Sequence, residues 1–167
     1  MDQASLDYAM SVLEEIGGAV RPIGMTLEKL NTARTEGVPT GVIRPEGESP
    51  AWEVTCNVVP THRDSVSTTY VQLCLQLTAP CPERRSELER YAWSRNSQML
   101  LGTLLVFRDC LCYKHVMALE PTAALEESHF QAAVFAFCQQ GEVLAQQGQA
   151  ICQGLRTVDE VLAGENP

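Results

Sequence analysis

The stretch 69–82, TYVQLCLQLTAPCP, decides the fold class. Val71, Leu73, Leu75, Leu77 and Ala79 fall on one parity, and Tyr70, Gln72, Cys74, Gln76 and Thr78 on the other. Alternation with a period of two reads as a strand with one face on a core and the other wetter, as in an antiparallel sheet. Pro80-Cys81-Pro82 then stops the strand and opens a helix, with Pro82 near the first turn, where its missing N–H costs least.

Downstream, 83–97 reads as a helix with Leu88, Tyr91, Ala92 and Arg95 inward and Glu87, Glu89 and Arg90 toward water. The run 99–107, MLLGTLLVF, reads as a buried strand. Asp109-Cys110 turns it into a second strand over 111–119, where Tyr113, Met117 and Leu119 share a parity; the turn lacks Asn-Gly chemistry. A long helix opens at Pro121-Thr122 and continues to about 153, roughly 30 residues or 45 Å. Thr122 with Glu126, or Ser128 with Gln131, supplies its cap. Phe130, Phe137, Leu144 and Ile151 recur every seven residues, beside a row of Val134, Gly141, Gly148 and Leu155. The two glycines leave this stripe shallow, open either to the chain's own sheet or to a dimer partner. The tail, 156–167, adds a turn at 158–162.

Upstream, Trp52, Val54, Cys56 and Val58 alternate with Glu53, Thr55 and Asn57, a half-buried strand ending at Pro60 before a polar turn at His62-Arg63-Asp64. Eight Gly or Pro fall within 19–50. That density reads as a long surface excursion, with a short helix at 26–34 capped by Thr26; a loop of that size is either functional or mobile. The first helix spans 5–16, with Ser5 capping, Leu6, Met10, Leu13 and Ile16 in a stripe and Gly17-Gly18 as its stop. The whole reads as one domain, 1–167, with its sheet-and-helix core at 51–154. Its class is α+β, an antiparallel sheet covered by helices.

Composition narrows the functions. Twelve Lys and Arg against 21 Asp and Glu give a net charge of −9 over 167 residues, 45% of them apolar. An apolar fraction of that size excludes disorder for most of the chain. The absence of a Lys/Arg cluster argues against nucleic acid, since phosphate binding rests on such clusters. Residues 1–10 hold no Lys or Arg and do not form a signal peptide, and no apolar run approaches a membrane span. The long last helix has no basic residue, which argues against membrane docking. Seven cysteines, an odd number without a secretion signal, point to reduced thiols in the cytoplasm. Cys110-x-Cys112 lacks zinc-knuckle spacing and reads as small buried hydrophobes, so no metal or cofactor is expected.

A catalytic constellation is not legible. His62, His115 and His129 stand in no recognisable frame, and Gly17-Gly18 and Gly37-x-x-x-Gly41 are not followed by the Lys of a phosphate loop. Glu14-Glu15 and Glu126-Glu127 are neighbours on helices and diverge around the axis. Arg84, Arg85, Arg90 and Arg95 are interleaved with Glu83, Glu87 and Glu89, an ion-pair-laced helix face.

At RYAWSRN (90–96), LLGTLLVFRD (100–109) and YKHVMAL (113–119) the sequence resembles the YbjN-like family, whose fold is that of type III secretion chaperones. The shared pattern is a helix ending in an Asn (here Asn96), a strand with a glycine (Gly102), a paired strand and a long amphipathic helix. The resemblance implies an order α-β-β-(β)-α-β-β-α and work without catalysis. The secretion chaperones are acidic dimers that hold extended client segments, and YbjN-like proteins are linked to regulation and stress responses. The expectation is therefore a non-catalytic, cytoplasmic homodimer that binds a protein or peptide client and neither nucleic acid nor membrane. Strand addition at a sheet edge and docking in a helix groove are its two modes. Contact residues for a client or a second copy would be Trp52, Tyr70, Tyr113, Val134, Gly141 and Gly148. Two alternatives stand beside it: a thiol-based regulator or sensor using Cys110 and Cys112, and an enzyme whose site only the folded chain assembles, around His62 or His115 with a carboxylate.

Overall fold

The computed structural model describes residues 3–30, 37–47, 53–63, 66–119 and 125–164. In chain order its elements are α1 (Gln3–Val20), β1 (Met25–Lys29), β2 (Thr40–Pro45), β3 (Val54–Arg63), β4 (Val66–Gln76), α2 (Arg85–Asn96), β5 (Thr103–Phe107), β6 (Cys110–Leu119), α3 (Glu127–Cys152) and α4 (Val158–Ala163). The class is α+β, with six strands and four α-helices among the described residues. Two compact units divide the chain: Met1–Cys74 with Val116–Val134, and Leu75–His115 with Phe135–Pro167.

In the first unit α1 buries Ala9, Val12, Leu13, Ile16, Ala19 and Val20. The expected stop at Gly17-Gly18 is overridden. Ala19 and Val20 prolong the buried stripe, and that burial outweighs the roughly 1 kcal/mol each helical glycine costs. The excursion expected over 19–50 is corrected most. In place of a helix at 26–34, β1 pairs antiparallel with β2 from Met25↔Pro45 to Lys29↔Gly41; residues 31–36 lie outside the described residues. Gly41 is a packing residue here, since a Cβ on it would lie 3.0 Å from the Leu27 side chain. β2 pairs in turn with β3, Thr40↔Asn57 through Ile43↔Val54, and β4 follows β3 in the strand order.

Val54, Cys56 and Val58 are buried, as the alternation requires. β3 nevertheless continues past Pro60 to Arg63. Its register with β2 ends at Asn57, so the missing N–H of Pro60 takes nothing from that ladder. In β4, Val71, Leu73 and Leu75 are buried while Tyr70 and Gln72 are half-buried. The start of α3 buries Phe130 and Val134. Gln131 donates to the Ala19 carbonyl at 2.8 Å and answers one of the open carbonyls at the end of α1. The Leu125 N–H donates to Glu15 at 3.3 Å. Of the two expected caps, Thr122 lies outside the described residues, and Ser128 falls inside the helix, which starts at Glu127.

In the second unit α2 starts at Arg85, after a 3-10 turn at Pro82–Arg84, and buries Leu88, Tyr91 and Ala92. The strand expected over 99–107 begins only at Thr103, and Leu100 is fully exposed. Gly102 causes the break: its φ is +71°, and a Cβ there would stand 2.5 Å from the Tyr113 ring and 2.7 Å from the Lys114 carbonyl oxygen. β5 and β6 form a two-residue hairpin, Phe107↔Cys110 through Thr103↔Lys114. Arg108 and Asp109 both take positive φ, 50° and 62°, so the turn has primed geometry without Asn-Gly. Tyr113 stacks on Phe137 of α3 at 4.2 Å between centroids. The tail forms α4, closed by a capping box between Thr157 and Glu160.

Candidate functional site

The second unit carries two features with chemical content, an open strand edge and a cleft holding two thiols. Among the described residues β5 ends the strand order, with β6 as its one neighbour. A two-residue hairpin makes Phe107↔Cys110 a hydrogen-bonded pair, so Leu105 and Thr103 also bond toward β6. Leu104 and Val106 therefore direct their peptide groups outward. At Leu104 the outward groups are answered by one side chain. The Leu104 N–H donates to Asn96 Oδ1 at 2.7 Å, and Asn96 Nδ2 donates to the Leu104 carbonyl at 2.9 Å. A carboxamide at the end of α2 thus stands where the peptide group of a further strand would stand. It blunts an edge that would otherwise invite pairing. Trp93 on α2, Leu100 in the connection and Phe107 at the end of β5 are all exposed, Trp93 to 83%.

The cleft lies where the connection from β4 to α2 meets the end of α3. Its volume is about 390 Å³, and Thr78, Pro80, Cys81, Glu83, Gln149 and Cys152 are among its lining. Cys81 is buried and Cys152 half-buried. The Cys81 thiol donates to the Cys152 carbonyl oxygen at 3.7 Å. Burial pushes the Cys152 thiol up to about 11, with the neighbouring Cys81 thiol adding to the shift and the Thr78 hydroxyl opposing it. Thr78 is itself positioned, because its hydroxyl oxygen accepts the Leu111 N–H at 2.9 Å. The Cys81 N–H donates to the Asp109 carbonyl at 2.8 Å.

The residues singled out by sequence fall elsewhere. Tyr113 is fully buried; its hydroxyl donates to the Leu101 carbonyl at 2.7 Å and lies 2.7 Å from the Gln140 carboxamide. Gly141 and Gly148 are filled by the unit's own side chains. A Cβ on Gly141 would stand 2.4 Å from Leu75 Cδ2, and one on Gly148 2.8 Å from Leu111 Cδ2. Val134 is buried and Tyr70 is half-buried. Trp52 lies outside the described residues. Tyr113, Val134 and the two glycines are all buried in the folded chain.

Cys110 and Cys112 are both buried, and their thiols donate to carbonyls two residues back, at Arg108 and Cys110. Burial raises the Cys110 thiol. The thiols that meet are Cys81 and Cys152, which no local spacing announces. The His62 side chain lies outside the described residues. His115 is half-buried with its ring 6.5 Å from Phe137, and exposed His129 sits 3.0 Å from Glu126. Among the described residues no three His, Cys, Asp or Glu come together as a metal site, and no helix is long and apolar enough to cross a membrane. No family model matches the chain, nor does any curated protein or solved structure.

Proposed function

We propose that the chain is a non-catalytic binding protein that takes an extended segment of a client polypeptide along the outer edge of β5. One observation carries this reading: the outward peptide groups of Leu104 are held by a side-chain carboxamide, Asn96, which an incoming strand would displace to bond the same groups. Val106 directs its own peptide groups the same way. Exposed Trp93, Leu100 and Phe107 supply apolar surface on the segments flanking that edge. Strand addition uses such parts, with main-chain bonds for affinity and alternate side chains for selectivity.

The resemblance to YbjN-like proteins and to secretion chaperones supports the same reading, since those proteins act without catalysis. A cytoplasmic location, a homodimeric form and a role in regulation or stress response belong to the proposal on that ground. The contact residues move from Tyr113 and the glycine row to the β5 edge.

An array of short peptides, read by fluorescence polarisation, tests it. The wild type is expected to bind extended peptides with alternating apolar residues. Val106→Pro removes only an outward N–H and should weaken binding at least about tenfold while leaving the β6 ladder intact. Asn96→Ala frees the edge and should strengthen binding several-fold. Equal binding by wild type and Val106→Pro, or no binding by any form, would sink the proposal.

A further inference from the structure

We propose that Cys81 and Cys152 are a disulfide-forming pair, a modification site that takes a small organic disulfide from the cleft as its oxidant. This goes beyond client binding and is independent of it. The two residues are 71 positions apart in sequence, yet the Cys81 thiol reaches the Cys152 carbonyl at 3.7 Å. Both line one cleft of about 390 Å³. Their exposure differs, and that difference sets the order of events. Half-buried Cys152 is reached from the cleft; Cys81 is 4% exposed and is screened until its partner has reacted.

In the first step the Cys152 sulfur, having lost its proton to solvent, attacks one sulfur of the organic disulfide. The S–S bond of the reagent breaks and one thiolate leaves. In the second, the Cys81 sulfur loses its proton and attacks Cys152, expelling the second thiolate. The balance is two protein thiols and one organic disulfide going to one protein disulfide and two small thiols. Both protein sulfurs are oxidised and the reagent is reduced by two electrons. The Thr78 hydroxyl, held by the Leu111 N–H, is placed to donate to the Cys152 sulfur as it gains charge. The backbone on the other side is anchored by the bond from the Cys81 N–H to the Asp109 carbonyl. The bond that forms ties the end of α3 to the junction between β4 and α2.

Oxidised glutathione, added to the full chain at mildly alkaline pH, provides the test. Peptide mapping without reductant is expected to find one cross-link, Cys81 to Cys152, with two hydrogens lost from the intact mass. The oxidised chain should unfold about 5–15 °C higher, because the bond closes a long loop. In Cys81→Ser the adduct should stay on Cys152 as a mixed disulfide. Three results would each overturn the inference: a wild type that retains glutathione on Cys152, cross-links between other cysteines, or an unmodified Cys81–Cys152 pair in the folded chain. The wild-type map decides these without any variant having to fold.

Discussion

His115 sits half-buried on β6, and burial lowers its pKa from the ordinary 6.5 because the imidazolium loses water it cannot replace. The folded chain therefore takes up that proton at lower pH than the unfolded one. Above about pH 6.5 the difference has no effect; as the pH falls from there toward the folded value, the unfolded state binds more protons and stability drops. His115→Gln should lose less stability than the wild type between about pH 7.5 and about pH 5.5, measured by urea midpoints. Equal losses would show that His115 carries no such penalty. Thr78 is the second informative residue. It is 4% exposed and accepts the Leu111 N–H. Thr78→Val keeps its shape and removes the acceptor, so it should cost about 1–3 kcal/mol in chemical denaturation. Thr78 does not stand out in the sequence, where it reads only as the polar face of a strand. Its partner lies 33 positions away.

Glycines in helices carry opposite lessons depending on what faces them. Gly18 in α1 has nothing within 4 Å of where its Cβ would be, whereas the Cβ of Gly141 in α3 would meet Leu75 at 2.4 Å. Gly18→Ala should stabilise by about 0.5–1 kcal/mol through helix propensity alone. Gly141→Ala gains the same propensity but overpacks a filled groove, and should destabilise by about 1–2 kcal/mol net. Differential scanning calorimetry on the pair reads the sign. A stabilised Gly141→Ala would mean that the Leu75 side chain moves aside at little cost. Helix and strand periods made α1, β3, β4, α2 and α3 legible in sequence, within a few residues at their ends except the start of α3, expected at Pro121-Thr122 and found at Glu127. β1 and β2 were hidden by their own composition. Gly41 and Pro45 count as turn signals, yet Gly41 makes room for Leu27, and the buried run Thr40–Ile43 in β2 does not alternate. The hairpin likewise forms on Arg108-Asp109 at positive φ, because strand pairing on both sides holds a turn its residues do not favour.

Charge is distributed unevenly over the molecule. The first unit holds 5 Lys and Arg against 13 Asp and Glu, a net −8, and the second holds 7 against 8, a net −1. Exposed pairs such as Glu14–Lys29 at 2.7 Å contribute little each, so self-repulsion should dominate the first unit's response to salt. Raising sodium chloride from about 20 to about 300 mM should raise the thermal midpoint by a few degrees. A falling midpoint would show that the ion pairs outweigh the repulsion. The acidic, apolar-rich composition and the two periodicities, 2.0 and 3.6, were enough by themselves to make this an α+β chain without a basic track for phosphates. Periodicity reports which face of an element is buried, and it does so from residues a few positions apart. The edge of β5, its answer by Asn96, the filling of the glycine row and the meeting of Cys81 with Cys152 all join residues that are distant in sequence or depend on which strand has only one neighbour. Only tertiary structure decided them, because local pattern says that a surface is buried and never what buries it.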